Sequence, residues 1–191
     1  MTKPDGIDPD LAIGLLRRIA QRDQKAFAEL FHIINRRVFQ FALHRLGQRQ
    51  DAEEVLNDTA LELWRHPERF RGDSSFMTYV LGIANNKAGS LLRSRGRPEK
   101  DPGDELAEVP ADDATPFDLL WGKQQLAAIT RCMDQLSQRQ RIIVHLAYFE
   151  DLSREEIGRI IDCEGNAVRQ HLWQALRKLK PCVARSGLKR D

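Results

Sequence analysis

The side chains best suited to contact nucleic acid lie near the C-terminus of this 191-residue chain. One helix there is predicted to expose Arg169, Gln170, His171, Trp173, Gln174, Arg177 and Lys178. Arg and Gln can form paired hydrogen bonds with base edges in the major groove, and basic side chains neutralise phosphates. Residues 166–191 contain 7 basic residues and a single acid. The pattern favours DNA binding, and its alternative is a solvated basic face on an ordinary helix pair.

A second group of residues combines aromatic rings and Arg with small polar side chains. Gly72 and its polar neighbours predict an exposed loop with a tight turn between two helices. The members of this group are Phe70, Arg71, Asp73, Ser75, Phe76 and Tyr79. Aromatic and Arg side chains can stack on an unpaired base, and a strand could continue along Asn85, Asn86, Lys87, Arg93, Arg95 and Arg97. The alternative is a plain connector with both Phe rings in the core.

A third group of polar residues occupies one face of the segment 51–65. It includes Glu53, Glu54, Asn57 and Asp58, which suit a solvated or partner-binding surface better than a catalytic pair. The five histidines form no HExxH motif, and the chain contains neither GxSxG nor GxxxxGK. An enzyme, a metal site and a cofactor are therefore not expected.

The three cysteines, Cys132, Cys163 and Cys182, form no CxxC pair. Reduced thiols are the simplest prediction, with Cys163 as a small apolar filler in a turn. A redox-responsive or metal-responsive interaction protein built on these cysteines is an alternative class of function.

Helices must position all of these groups, because apolar residues recur at steps of three and four. The first half predicts helices at about 8–22, 26–42, 51–65 and from Ser74 or Ser75 to Arg93, with Pro67 ending the third. The second half predicts helices at about 116–136 and 137–149, then a capping box from Ser153 to Glu156. A turn at 162–165 and a last helix capped by Asn166 complete a helix-turn-helix. The predicted class is all-α.

Charge divides the chain into parts. The net charge of +2 is the sum of +3 over residues 1–96, −5 over 97–116 and +4 over 117–191. Residues 97–116 are rich in Pro and acids and poor in large apolar side chains, which predicts a flexible linker rather than a long surface loop. Two small helical domains are therefore expected, an N-terminal bundle at 1–96 and a helix-turn-helix domain at 117–191. The chain shows neither a membrane-length apolar run nor a signal core, so a cytoplasmic protein is expected.

Several segments in one order resemble bacterial sigma factors. The run from Asp51 to Trp64, followed by Phe70 to Tyr79 and Ile83 to Asn86, resembles their second conserved region. The segments 136–141, 152–157 and 168–179 resemble their fourth region. With both regions joined by a short linker, the chain resembles the extracytoplasmic-function (ECF) group, over about 25–96 and 117–181.

The resemblance implies binding to core RNA polymerase and promoter-specific initiation. Asp51, Glu53, Glu54, Asn57 and Asp58 would contact the β′ clamp helices, and the C-terminal domain would contact the β flap. The loop group, with Asn85, Asn86 and Lys87, would bind and open the −10 element, and the C-terminal helix would read the −35 element. An anti-sigma protein would silence the factor. A conventional helix-turn-helix regulator, which binds duplex DNA as a dimer without polymerase, is the alternative.

Some positions depart from the family pattern. Tyr79 stands where Trp is usual, and Gly82 and Gly89 interrupt a helix. Asn166 occupies the usual Gly position of the turn, where it can adopt a left-handed conformation. Trp173 is large for a base-reading position, so the −35 sequence that the helix prefers is an open question.

Overall fold

The computed structural model describes residues 7–96 and 131–185, and all regular secondary structure in these two ranges is helical. The first range forms α1 (Pro9–Ala20), α2 (Gln24–Leu46), α3 (Arg49–Arg65) and α4 (Phe76–Ser94), with a 3-10 turn at Pro67–Arg69. The second forms a 3-10 turn at Met133–Gln135, then α5 (Gln138–Tyr148), α6 (Arg154–Ile161) and α7 (Gly165–Arg185). The predicted all-α class is confirmed. The predicted linker at 97–116 and most of the predicted helix at 116–136 lie outside the described residues.

Local hydrogen bonds explain where the first helices begin. The side chain of Asp8 accepts from the amide of Asp10, and that of Asp23 accepts from the amides of Lys25 and Ala26. The hydroxyl of Ser75 accepts from the amide of Thr78, so α4 begins where the sequence predicted. These four helices enclose one apolar core that includes Leu30, Phe41 and Leu81.

The helices of the second range form a helix-turn-helix on a supporting helix. α5 packs against α7, and α6 and α7 pack against each other across a short turn. The predicted capping box at Ser153 and Glu156 is confirmed, and a second one joins Ser137 to Gln140. The turn lies so close to α6 that a Cβ atom on Gly158 would stand 2.5 Å from the carbonyl oxygen of Cys163.

The predicted role of Asn166 as the cap of the last helix is wrong. α7 already begins at Gly165, so Asn166 lies within its first turn. The left-handed residue is Asp162, with φ of 51°, and this conformation lets the amide of Cys163 donate to the carbonyl of Gly158 over 3.0 Å. Asp162, the first residue of the turn, therefore ends α6. Asn166 could cap α7 only if that helix began at residue 167 instead of 165.

The prediction of three reduced cysteines is also wrong. Cys132 and Cys182 form a disulfide, with Cα atoms 6.0 Å apart, and Cys163 is the free thiol. The pairing escapes a sequence argument because 50 residues separate the two cysteines, and only the packing of α7 against the segment before α5 brings them together.

The two groups of helices pack against each other. α2 lies against α5, and α4 lies against α6. Arg37 on α2 forms an ion pair with the buried Glu150, and the hydroxyl of Thr78 on α4 donates to Glu156 over 3.2 Å. No helix of the described ranges is both long and apolar enough to cross a bilayer.

Candidate nucleic-acid interface

The exposed face of α7 carries most of the predicted base-reading side chains. Arg169, Gln170, Trp173 and Gln174 are half-buried, whereas Arg177 and Lys178 are exposed. The guanidinium of Arg177 lies 4.7 Å from the centre of the Trp173 ring, so the large indole is stacked rather than free.

The buried Gln140 of α5 fixes two of these side chains. Its amide group donates to the side chain of Gln174 over 3.3 Å, and its oxygen accepts from the ammonium of Lys178 over 3.0 Å. α5 therefore orients part of the candidate reading face. Sequence reasoning missed this role, since Gln140 was noted only as part of the segment 136–141 that resembles the fourth region.

His171 does not belong to that face. It is 8% exposed and lies on the buried side of α7 with Val168, Leu172 and Ala175. The buried stripe of a helix spans about 100° or more, so it takes in residue 171 together with 168, 172 and 175. The prediction that His171 points outward is therefore wrong.

The loop between α3 and α4 exposes Arg71 and Asp73 around Gly72, whose φ of 82° suits a glycine. The ring of Phe70 lies at its base, 5.3 Å from the rings of both Phe76 and Tyr79. Phe70 and Tyr79 are half-buried, so each ring keeps an accessible part.

Phe76, which was predicted to contact DNA, is 3% exposed. It is the first residue of α4 and points into the core, where it supports the ring of Phe70. The alternative of a core residue is therefore correct for Phe76. Ser75 is exposed, but its hydroxyl is engaged in the cap of α4.

Glu62 organises the basic residues around this loop, and sequence reasoning assigned it no such role. Its carboxylate accepts from Lys87 over 3.1 Å and from Arg69, the residue before Phe70. The hydrogen bond from Lys87 lowers the pKa of Glu62 more than any other contact, and the charges of Lys87 and Arg69 act in the same direction. Glu62 thereby holds Lys87 of α4 beside the loop.

Asn85 and Asn86 do not join that group. They line a cavity between the two groups of helices, opposite Gln138 and Arg139 of α5. The predicted strand path is therefore divided between two places: Lys87 lies beside the loop, whereas the half-buried Asn85 and the exposed Asn86 lie at the cavity.

The predicted partner-binding surface of α3 exposes Glu53, Glu54, Asn57 and Asp58. Arg49 pairs with Glu53 over 2.8 Å, and Arg95 with Glu54 over 2.8 Å. Arg95 is therefore bound to α3 and not aligned with a strand path.

Asp51, which was predicted to join this surface, is 1% exposed. Its carboxylate forms an ion pair with Arg95 near the end of α4. A carboxylate needs a partner when it is buried, and Asp51 satisfies this need within the chain. It ties α3 to α4 and presents no charge at the surface.

A shallow apolar groove adjoins the acidic residues of α3. Its volume is about 420 Å³, and its lining includes Phe27, Phe31, Leu61 and Trp64. Leu61 is 39% exposed and therefore adds to the accessible apolar surface of the groove. Sequence reasoning placed Phe27, Phe31 and Trp64 on apolar faces and missed the groove, because only the crossing of α2 and α3 shows where they remain uncovered.

Family models and known proteins match this arrangement. The model of sigma-70 region 2 matches residues 30–98, and that of sigma-70 region 4 matches residues 126–179. Mycobacterium tuberculosis has a relative named ECF RNA polymerase sigma factor SigK, which is 29% identical over 186 residues, covering 96% of this chain and 98% of the relative. The chain belongs to the ECF group of sigma factors.

Other members of the ECF group show the same extent of similarity. The ECF RNA polymerase sigma-E factor of Salmonella typhimurium is 26% identical over 185 residues, covering 90% of this chain and 95% of that factor.

Two solved structures share the fold of this ECF factor. One is the sigma factor RpoE of Bartonella quintana in complex with the anti-sigma factor NepR, with a TM-score of 0.62, 21% identity and coverage of 84% and 98%. The other is CnrH in complex with the cytosolic domain of CnrY, with a TM-score of 0.61, 19% identity and coverage of 93% and 99%.

Proposed function

We propose that this ECF factor binds core RNA polymerase through α3 and directs it to promoters through the loop at 70–75 and through α7. The observation that carries the proposal is that one chain joins sigma region 2 to sigma region 4. Residues 1–96 and 117–191 would be the two functional domains. Polymerase supplies the chemistry, so the chain acts as a specificity subunit, in the cytoplasm where promoters lie.

The surface of α3 supports binding to the β′ clamp helices. It offers the carboxylates of Glu53, Glu54 and Asp58 beside the apolar groove at Leu61 and Trp64. Apolar side chains next to charges that steer association are typical of specific protein interfaces. These carboxylates would fix the orientation of the clamp helices on α3, and the groove would contribute buried apolar area to the interface.

Promoter binding would use the two remaining surfaces. Arg169, Gln170, Trp173 and Gln174 lie at the position of a major-groove reading helix, with Arg177 and Lys178 exposed beside them to approach phosphates. The same domain would contact the β flap. Phe70 and Tyr79, with Lys87 and Arg71 beside them, would stack on and bind an unpaired base of the −10 element.

The packed arrangement of the two helical groups has to open for this function. Elements named −35 and −10 are about 25 base pairs apart, or about 85 Å along a strand. A unit of about 100 residues has a radius of gyration of only about 13 Å, so two units in contact cannot reach both elements. The predicted linker at 97–116 holds 20 residues, which can extend over about 66 Å and thereby separate the two units. The packed form is therefore the inactive one.

An anti-sigma protein is the expected regulator of the packed form. RpoE of Bartonella quintana was solved with the anti-sigma factor NepR, and CnrH was solved with the cytosolic domain of CnrY. An anti-sigma protein that covers both domains of this chain would keep the promoter-binding residues from DNA.

Reconstituted transcription tests the proposal. Purified chain added to core polymerase should give promoter-dependent transcripts, and sequencing their starts would yield both promoter elements. Asp58→Lys should reduce the affinity for core polymerase at least several-fold. Glu29→Lys, which makes the same charge change on an exposed site of α2, should not. Specific binding to a palindromic site by the chain alone, with no transcript in the presence of core polymerase, would instead favour a conventional regulator.

A further inference from the structure

The carboxylate of Glu62 lies between two cations beside the loop at 70–75. One of its oxygens accepts from the guanidinium of Arg69, and the other accepts from the ammonium of Lys87 over 3.1 Å. These residues belong to α3, to the 3-10 turn that follows it and to α4. One side chain therefore joins three elements, and we call Glu62, Arg69 and Lys87 together the Glu62 bridge.

The Glu62 bridge adjoins the aromatic rings at the base of the loop. Arg69 directly precedes Phe70, whose ring lies 5.3 Å from the ring of Tyr79 on α4. Burial raises the pKa of Tyr79, and among the nearby charges that of Arg69 lowers it while that of Glu62 raises it. The bridge and the tyrosine are therefore close enough to interact. By tying residue 69 to α4, the bridge holds the ring of Phe70 against that of Tyr79.

The burial of the bridge distinguishes it from an ordinary surface ion pair. An exposed pair contributes little, because water screens the charges and both side chains lose freedom. The side chain of Glu62 is only 22% exposed, and each of its oxygens binds a different cation. A carboxylate that is mostly covered and bound on both oxygens has a fixed position. Glu62 therefore positions Arg69 and Lys87 as well as pairing with them.

The charge of Glu62 has a second effect, on the attraction between this loop and a DNA strand. Basic side chains bind the phosphates of every sequence alike, so they add affinity without discrimination. Lys87 and Arg69 lie beside the loop, but a neighbouring carboxylate offsets part of their charge. Discrimination has to come from the extruded base that the loop and the aromatic rings would contact.

We propose that Glu62 is a positioning residue that makes binding of the −10 strand more selective. Its carboxylate holds the loop against α4 in the geometry that an extruded base requires. Its charge weakens the attraction of Lys87 and Arg69 for the phosphates of other sequences. This inference rests on the proposed function, in which the loop binds the −10 strand, and it assigns a role to a side chain that acts through its neighbours.

Fluorescence anisotropy of the holoenzyme, formed from the full chain and saturating core polymerase, tests the proposal. The probes are two labelled single strands of equal composition, one with the −10 sequence found by transcript sequencing and one with that sequence scrambled. The ratio of their dissociation constants measures discrimination. A parent holoenzyme without any preference would overturn the proposed function and this inference with it. A parent preference that the Glu62 variants retain would overturn this inference alone.

Glu62→Gln removes the charge and half of the bridge, because an amide has only one oxygen. Discrimination should fall about threefold or more, since the loop no longer holds the extruded base as firmly. The scrambled strand should bind about threefold more tightly, as expected for one charge about 6 Å away in water. Its salt dependence should steepen by about 0.7 in log–log slope. Weaker binding of both strands in equal proportion would indicate a merely structural role and overturn the proposal.

Two matched variants separate the charge from the bridge. Glu62→Asp keeps the charge but is one methylene shorter, so discrimination should fall while the scrambled strand binds as in the parent. Glu68→Gln removes the same charge from the 3-10 turn, where Glu68 lies 3.5 Å from His66 and outside the bridge. Both strands should then bind more tightly with an unchanged ratio. Equal helix content by far-UV circular dichroism separates these effects from a failure to fold, and unchanged discrimination in Glu62→Gln or Glu62→Asp would overturn the proposal.

Discussion

Arg169 lies on α7 where a base-reading side chain is expected, and its Nε atom is buried without a hydrogen-bond partner among the described residues. Because this atom is covered, a contact with a base edge would use the outer nitrogens of the guanidinium. Arg169→Ala should therefore weaken binding of the −35 element by about 1–3 kcal/mol and relax the preference at one base pair. Titration of polymerase holoenzyme with −35 DNA measures the loss.

The control for Arg169 is Arg159→Ala on the exposed side of α6. That change removes the same charge and should reduce binding only slightly and equally for all sequences. If both variants lost the same affinity with unchanged base preference, Arg169 would act on phosphate alone.

For single residues, the sequence predicted the chemical type of an interaction better than it predicted which way a side chain points. Glu53, Glu54, Asn57 and Asp58 are exposed as predicted, since a solvent-facing helix stripe is visible in a periodic pattern. Asp51 lies at the start of the same helix, but its burial depends on Arg95, which comes 44 residues later. The role of Glu62 likewise requires Lys87 and Arg69. Such partners are set by tertiary packing and leave no local signal.

At the level of elements, Gly158 and Gly82 offer opposite tests of helix packing. Gly158→Ala would force a Cβ atom against the backbone of the turn, where nothing flexible can give way. It should destabilise the second helical group by about 1–3 kcal/mol despite the better helix propensity of alanine. A Cβ atom on Gly82 would meet no neighbour within 4 Å, so Gly82→Ala should stabilise the chain by up to about 1 kcal/mol.

Urea unfolding of the two glycine variants measures both effects. Destabilisation by Gly82→Ala would mean that α4 needs the conformational freedom of that glycine. A Gly158→Ala variant as stable as the parent chain would mean that the turn can move away from α6.

The disulfide joins the end of α7 to the segment before α5. A cross-link that closes a loop of about 50 residues contributes about 4 kcal/mol in the chain-entropy account. Reducing agent should therefore destabilise α5–α7 and leave α1–α4 almost unchanged. Hydrogen exchange of the two ranges measures the difference.

The three cysteines supply matched controls for this prediction. Cys163→Ser should respond to reducing agent as the parent chain does, because Cys163 is free. A double change of Cys132→Ser and Cys182→Ser should already be destabilised and should not respond. A parent chain indifferent to reducing agent would contradict a stabilising disulfide.

Helix boundaries were predictable because caps and proline act locally. The structure confirms the predicted helix starts after Ser75 and Ser153 and the predicted helix end before Pro67. The start of α7 was missed, since the turn is closed by Asp162 in a left-handed conformation that is uncommon for Asp. The apolar groove was missed because it results from a crossing of two helices.

At the level of the whole molecule, the contact between the two helical groups contains a pair of histidines, the half-buried His44 and the buried His145. The rings of His44 on α2 and His145 on α5 lie 4.7 Å apart, and Phe149 stacks on His145. Glu150 binds Arg37 and also lies 3.5 Å from His145. Sequence reasoning treated the two groups as independent domains, because nothing in a periodic pattern tells which surfaces of separate domains meet.

This pair predicts that acid opens the molecule. Burial, the neighbouring His145 and the charge of Arg141 lower the pKa of His44 from 6.5 to about 4, against a smaller opposite effect of Asp134. The packed form therefore keeps His44 neutral, whereas the open form takes up a proton below about pH 6.5. The contribution of neutral His44 to the stability of the packed form is complete above that pH, and it is lost as the pH falls towards 4. At pH 5 the loss should be about 1 kcal/mol, after allowance for water near the half-buried ring.

Small-angle scattering at pH 7.5 and pH 5 measures this opening as a rise in the radius of gyration. His44→Phe keeps an aromatic ring against His145 and Phe149 but cannot be protonated, so its packing should respond much less to pH. An equal rise in the parent chain and in His44→Phe would assign the opening to other groups, such as the ion pair of Arg37 with Glu150. Far-UV circular dichroism at both pH values separates opening from unfolding, because the helices themselves should persist while the two groups move apart.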